Sequence, residues 1–326
     1  MHRITKITGY VAIILVVLSF NFFLPRLMPG DPLSFLTGNP TMDMPIVLDE
    51  ETRAKLLTYY GLDKPLSQQF YDYMLGILHG DLGWSIYHNA PVSDILIGAL
   101  KWTLLLVGTS TALYMVLGIL LGAISAWNRG GKSDVGLLVS LLSIGSFPPF
   151  FLGMLFIILF SVKLNLFPAF GAQTPFMGYS SFLEEASDIL YHLFLPVTTL
   201  VISHIGGVYL LMRNSMLNVI GEDYILTARA KGMAEWYIMR KHATKNALLP
   251  IITMIALRTG FMIGGTILVE TVFAYPGVGR LLFDAVMYRD YPLLQGAFLI
   301  ITLVIIAANF VADMVYVQLD PRLKHD

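Results

Sequence analysis

Six stretches of this chain are apolar over the ~20 residues that a helix needs to cross the hydrocarbon of a bilayer. They are 9–28, 102–127, 135–162, 189–212, 247–273 and 293–319. Such runs leave few folds open, because lipid offers no hydrogen bonds and each span must satisfy its own backbone. The sequence therefore predicts an all-α polytopic membrane protein with six transmembrane helices. Charged residues make up only 13% of the chain, about half the usual share in soluble domains. The net charge of −1 excludes the basic field of a nucleic-acid binder. The absence of cysteine excludes disulfides, thiolate catalysis and Cys-ligated metals.

The placement of lysine and arginine orients the spans. With the N-terminus inside, the inner segments hold Arg3, Lys6, Arg129, Lys132, six basic residues between Arg213 and Asn246, Arg322 and Lys324. The acids Asp49-Glu50-Glu51 and Glu184-Glu185 then fall outside. Both termini and the loop 213–250 are thus expected in the cytoplasm. The first span is followed by Pro25-Arg-Leu-Met-Pro-Gly-Asp31 rather than a small-x-small cleavage site, so it reads as an uncleaved anchor.

The division expected is an N-terminal tail and first span over 1–28, an extracytoplasmic cap over 29–101, a five-helix core over 102–319 and a cytoplasmic tail over 320–326. In the cap, Phe70, Tyr73, Met74, Ile77 and Leu78 follow helical spacing and give one apolar face. Gly80-Asp-Leu-Gly83 ends that helix, and 92–100 reads as a short surface helix before the second span. Pro148-Pro149 sits at the centre of the third span. Neighbouring helices can satisfy the carbonyls that prolines free, so one kinked helix is expected there.

Several chemical signals fail on inspection. The segment Ala126-Trp-Asn-Arg-Gly-Gly-Lys-Ser133 fits a relaxed phosphate-loop pattern. That chemistry needs a strand before the loop and a helix after it, whereas here the segment joins two spans. His192 and His204 each lack a second ligand at i+4, and no nucleophile constellation is present. Polar residues inside spans carry more weight, because they face a cavity or a partner. These are Arg258 and Glu270 in the fifth span, and Asn309 and Asp313 in the sixth. Arg258 lies about eleven residues, or ~16 Å, from the inner end. It either pairs with Asp313 or Asn309 to lock two helices, or lines a pathway.

The loop between the fourth and fifth spans is unusual for its length and charge. Met233, Trp236 and Tyr237 suggest a helical apolar face, beside the charges of Arg240, Lys241 and Lys245. An interfacial helix on anionic lipid would have this pattern. So would a docking helix for a cytosolic protein, with Gly232 as the turn between two helical pieces.

The wording of that loop separates the two readings. Thr227-Ala-Arg-Ala-Lys-Gly232, followed by His242-Ala-Thr-Lys-Asn-Ala-Leu-Leu-Pro250, closely resembles the "EAA" coupling loop of binding-protein-dependent ABC importer permeases. The resemblance is to the B-type subunit of the dipeptide/oligopeptide branch. Leu226 and Thr227 stand where other importers carry Glu-Ala, and the spacing from Gly232 to Pro250 is longer. The pattern continues through Gly265-Thr-Ile-Leu-Val-Glu-Thr-Val-Phe273, Pro276-Gly-Val-Gly279, Arg289-Asp290-Tyr-Pro292, Asn309 with Asp313, and Leu319-Asp-Pro-Arg322. Upstream, Pro29-Gly-Asp-Pro32, Gly61-Leu-Asp-Lys-Pro65 and Gly80-Asp-Leu-Gly83 also match.

The resemblance implies a type I ABC importer permease fold in a prokaryotic cytoplasmic membrane, as a non-catalytic subunit. It implies a second, related permease as partner, two cytosolic ATPase subunits that bind ATP and magnesium, and an extracytoplasmic binding protein. This chain would itself hold no cofactor or metal. By motif position, Thr227, Ala228, Arg229, Ala230, Lys231, Gly232 and Met233 would form the core of the coupling contact, with Trp236 and Tyr237 packing in the ATPase groove. The cargo implied is di- or oligopeptides, with oligosaccharides, nickel complexes or glutathione as alternatives within the family. From another class, a self-sufficient secondary carrier or channel stays open, though more buried carboxylates would then be expected.

Overall fold

A computed structural model describes residues 2–27, 49–59, 61–248, 250, 251, 254 and 265–319. In its first and last helices, the side chains described are those of 14–27 and 291–310. The elements run α1 (His2–Leu27), α2 (Glu50–Tyr59), α3 (Leu66–Leu78), β1 (Trp84–Ser85), β2 (Ala90–Pro91), α4 (Val92–Trp127), α5 (Lys132–Gly145) and α6 (Pro149–Phe156). A π-helical stretch, Ile157–Lys163, extends α6, and α7 (Phe182–Ile220) follows. Then come α8 (Asp223–Ala230), α9 (Glu235–Tyr237), a second π-helical stretch Ile238–Ala243, and α10 (Thr244–Ala247). The chain closes with α11 (Ile267–Val272), α12 (Val278–Tyr288) and α13 (Tyr291–Leu319).

Among the described residues, three helices are long and apolar enough to cross a membrane: Val92–Trp127, Phe182–Ile220 and Tyr291–Phe310. The bent pair of α5 with α6 and its π extension makes a fourth if it is one span, and α1 carries the shorter apolar run Ile14–Leu27. About half of the fifth expected span, 247–273, lies outside the described residues. Helix α7 has 39 residues, roughly 58 Å at the α-helical rise, so its ends reach well beyond the hydrocarbon.

Two expectations are corrected. The segment 92–100 is not a separate surface helix, because it runs unbroken into the 36-residue α4. The third span is not one kinked helix either, since its two halves meet at 96°. The cause is the proline pair. A residue before proline is pushed out of the helical region, and Pro148 accordingly sits at φ −57°, ψ 138°. Pro149 opens the next helix at a position where its missing N–H costs nothing.

The chain divides into two compact units. The first comprises Met1–Lys101 and Gly277–Leu303. Here Phe22 of α1 is fully buried and meets Phe70 of α3 edge-on at 5.1 Å. Phe70, Tyr73, Met74 and Ile77 are half-buried as the apolar face requires, but Leu78 is 80% exposed, since α3 ends there. Asn21 Nδ2 donates to the Gln295 carbonyl at 2.7 Å, joining α1 to α13.

The organising group of this unit is Asp290, which is buried. Its carboxylate accepts from Ser85 Oγ at 2.5 Å and from the Tyr87 backbone N–H at 3.0 Å, and it caps α13 through the Leu293 N–H at 3.1 Å. The small β1–β2 hairpin is thereby pinned to the start of α13, and the Tyr87 ring stacks on Tyr288 at 4.0 Å.

The second unit comprises Trp102–Pro276 and Val304–Asp326. Its core is a buried cluster that includes Leu106, Leu200, Met212, Met216, Ile225, Ile238 and Phe273. Helices α4 and α7 approach to backbone contact where α4 carries Gly118 and Gly122, the small-xxx-small spacing that lets membrane helices pack closely. A Cβ on Gly118 would lie 2.8 Å from Val208 Cβ, and one on Gly122 2.6 Å from the Tyr209 carbonyl oxygen.

At the other end of α7, Ser181 Oγ accepts from the Glu184 N–H while Glu184 Oε2 accepts from the Ser180 N–H, a reciprocal cap of the first turn. Asp188 then ties down the loop before α7, accepting from the Thr174 N–H, Thr174 Oγ1 and the Tyr179 hydroxyl, each at 2.7 Å. Donation to that carboxylate pushes the Tyr179 hydroxyl up to about 12.

Gly122→Leu is expected to destabilise the protein in detergent by about 1–3 kcal/mol, the usual cost of overpacking. Gly108→Leu on the same helix, where an added Cβ meets nothing within 4 Å, should shift the thermal midpoint little. Parallel melts of the two variants check this.

Candidate functional site

The basic loop is built outward from the C-terminal end of α7. Asp223 stands in the first turn of α8, where a negative charge complements the helix dipole. Ile225 and Ala228 of α8 are buried, as are Ile238, Ala243 and Ala247 beyond the turn, and all five belong to the core cluster that holds Met212 and Met216 of α7. Ser215 Oγ donates to the Ala247 carbonyl at 2.8 Å, and Asn246 Nδ2 donates to the Tyr224 hydroxyl at 2.9 Å. The loop is therefore fastened at both ends.

Between these anchors lies the turn. The Gly232 N–H bonds the Arg229 carbonyl at 2.9 Å and the Met233 N–H bonds the Ala228 carbonyl at 3.3 Å, the pairing of a Schellman C-cap. That motif needs a left-handed residue at its centre, and Gly232 has φ +72°. Gly232 thus separates two helical pieces, as the sequence suggested. Met233 falls in the turn rather than on a helix shared with Trp236 and Tyr237, so the expected continuous apolar face is broken there.

Residues 229–237 are all exposed, including the apolar groups Met233, Trp236 and Tyr237 at 37%, 63% and 42%. Thr227, Arg229, Ala230 and Lys231 are also exposed. Ala228 is the exception, turned inward and buried. Cations lie over the aromatic rings: Arg240 at 6.0 Å from the Trp236 centroid and Lys241 at 5.4 Å from that of Tyr237. Arg229 makes a two-pronged bond to Glu235 at 2.9 and 3.2 Å, and its guanidinium lies 5.4 Å from the Trp127 ring at the end of α4. Both ends of that ion pair are exposed, which limits its contribution to about 1 kcal/mol or less. Its consequence is geometric, since it holds α8 and α9 across the turn.

The polar residues of the spans fare unequally. Glu270 on α11 is fully buried, and its Oε1 accepts from Thr103 Oγ1 of α4 at 2.8 Å and from Thr266 Oγ1 at 3.4 Å. Asn309 is half-buried on α13. Arg258 and the side chain of Asp313 lie outside the described residues. Among the described residues no group of three or more His, Asp or Glu side chains is arranged to hold a metal ion.

Sequence reasoning passed over Asp134. It is 3% exposed, and Arg213, in the C-terminal part of α7, donates to it from Nε at 2.7 Å and Nη2 at 2.9 Å. The available signal was an acid in the first turn of a helix, following a Gly-Gly turn, opposite an arginine that ends another span.

Long apolar helices, with a fastened, basic, helical loop exposed beyond the C-terminal end of α7, define a polytopic membrane protein. The family model for the binding-protein-dependent transport system inner membrane component matches residues 118–325. The chain is 35% identical to the dipeptide transport system permease protein DppB of Escherichia coli strain K12, over 95% of this chain and 94% of that protein. It is 36% identical to the glutathione transport system permease protein GsiC of Pectobacterium atrosepticum, over 99% of each. Among solved structures, the MetNI methionine ABC transporter in an inward-facing conformation aligns with a TM-score of 0.53 at 17% identity, covering 68% of this chain and 94% of that one. This last likeness speaks to the fold. The chain belongs to the family of binding-protein-dependent transport system inner membrane components.

Trp236→Ala, at an exposed tip, is expected to leave thermal stability within about 0.5 kcal/mol. Ile238→Ala, two residues on and fully buried, should cost about 2–5 kcal/mol. Unfolding of the detergent-solubilised subunit monitored by circular dichroism distinguishes the two.

Proposed function

We propose that this chain is the permease subunit that forms half of the translocation pathway of an ATP-driven importer, with di- or oligopeptides as cargo. The observation that carries the reading is the continuous exposure of 229–237 on a loop whose flanks are buried in the core of a family member. Exposed aromatic and basic groups held on a fixed frame suit a protein partner better than they suit a connection. Thr227, Arg229, Ala230, Lys231, Gly232, Met233, Trp236 and Tyr237 form the contact with a cytosolic ATPase, and Ala228 supports it from beneath.

In this reading ATP and magnesium are bound by two ATPase partners, and this chain carries no cofactor. A second, related permease completes the pathway. Both termini lie in the cytoplasm, which places the loop there as well. The cap and 275–292 face outward and meet the binding protein that delivers cargo. Glu270 with Thr103 joins α11 to α4 beside the pathway, and Arg258, Asn309 and Asp313 are further polar candidates for its lining or for helix pairing. The peptide assignment rests on the dipeptide relative, and the glutathione relative, whose named cargo is itself a small peptide, fits the same class.

The test is reconstitution of the chain with its ATPase, permease and binding-protein partners in liposomes. Gly232→Pro and Arg229→Glu should insert and assemble normally yet lose ATP-dependent peptide uptake. Wild-type uptake by either variant would sink the docking assignment. Ion-driven uptake by this chain alone would instead establish a secondary carrier.

A further inference from the structure

A buried carboxylate at the inner end of the helices joins four pieces of backbone, and none of its bonds is needed for the docking contact itself. Asp134 Oδ1 accepts from Ser125 Oγ at 2.5 Å and from Arg213 Nε at 2.7 Å. Its Oδ2 accepts from Arg213 Nη2 at 2.9 Å and from the Gly130 N–H at 3.0 Å. Ser125 Oγ also shares a hydrogen bond with the Tyr209 hydroxyl at 2.7 Å. All four favourable positions around the carboxylate are thereby filled. The end of α4, the turn after it, the start of α5 and two turns of α7 are held as one block.

This block touches the loop at one further point. Trp127, two residues beyond Ser125 and the last residue of α4, presents its ring to the Arg229 guanidinium at 5.4 Å. Arg229 in turn holds Glu235 across the Gly232 turn. A displacement of the exposed tip therefore bears on Trp127 at the end of α4, and through Ser125 and Asp134 it reaches α7 and α5 together. The loop is also rooted directly in the end of α7, so without the carboxylate α7 would follow the loop while α4 and α5 lagged.

We propose that Asp134 is a positioning residue for energy coupling: with Arg213, Ser125 and Trp127 it makes α4, α5 and α7 move as one body when the loop is displaced. The proposal rests on the docking reading above. It adds that the stroke is divided among helices by a carboxylate clamp and a cation–π contact, not by the loop's covalent connection to α7 alone. Asp134→Asn puts an NH₂ where either Arg213 or Gly130 now donates, so at least one donor loses its acceptor.

The measurement is peptide uptake per ATP hydrolysed by the full transporter in proteoliposomes. Asp134→Asn and Trp127→Ala should each lower that ratio about tenfold while ATPase turnover stays within about twofold of the wild type. The double variant should be little worse than either single one, because both interrupt one connection. Trp127→Phe, which keeps an aromatic face for Arg229, should restore most of the ratio. If Asp134→Asn does not assemble, the Trp127 pair decides the matter.

An unchanged ratio in an assembled variant overturns the proposal, as does a parallel fall of uptake and ATP hydrolysis. Wild-type uptake that ignores ATP would overturn the docking reading first, and is visible before any variant is made.

Discussion

Helices α4 and α7 come within backbone contact because Gly118 and Gly122 offer no side chain at the crossing. Between lipid-facing helices the hydrophobic effect contributes little, and close packing must do most of the joining. Much of the second unit follows from that approach. It brings Tyr209 beside Ser125, and it leaves Arg213 in reach of Asp134 one turn further on. Polar groups that would be costly alone in such a setting are there fully matched.

Each unit is organised by a buried aspartate whose oxygens are divided among separate elements. Asp290 joins a hairpin to the start of α13, and Asp134 joins α4, α5 and α7. Hydrogen bonds to a charged acceptor are directional and strong, so each carboxylate fixes orientation where apolar packing alone would permit sliding. Within the second unit, Glu270 also links α11 to α4 through Thr103. The apolar surface sets which segments are helices, and these three acids set how their ends are arranged.

Much of this was legible in the sequence. Apolar runs mark spans because lipid forces helix, and Gly232 marks a turn because only a left-handed residue closes the α8 cap. The motif around it located the exposed loop. Other features were hidden because they depend on partners distant in sequence. Asp134 looks like an ordinary loop acid until Arg213, 79 residues away, is placed beside it. The break at Pro148 and Pro149 is sharper than lost hydrogen bonds alone would make it, because the second proline also pushes the first out of the helical region. Leu78 fits the apolar face of α3 by spacing, but the helix ends there and leaves it outside. The role of Arg258 depends on its neighbours in space, which spacing along the chain does not supply.

The Schellman turn at Gly232 has a consequence for how the tip of the loop is constrained. A Cβ added there would meet nothing within 4 Å, so room is plentiful. What opposes substitution is chirality: φ +72° belongs to the mirror-image half of backbone space, where L-residues are strained and their enantiomers are at ease. A D-alanine would fit this site as well as glycine does. The tip of the loop is thus specified by handedness and not by any side-chain contact at that residue.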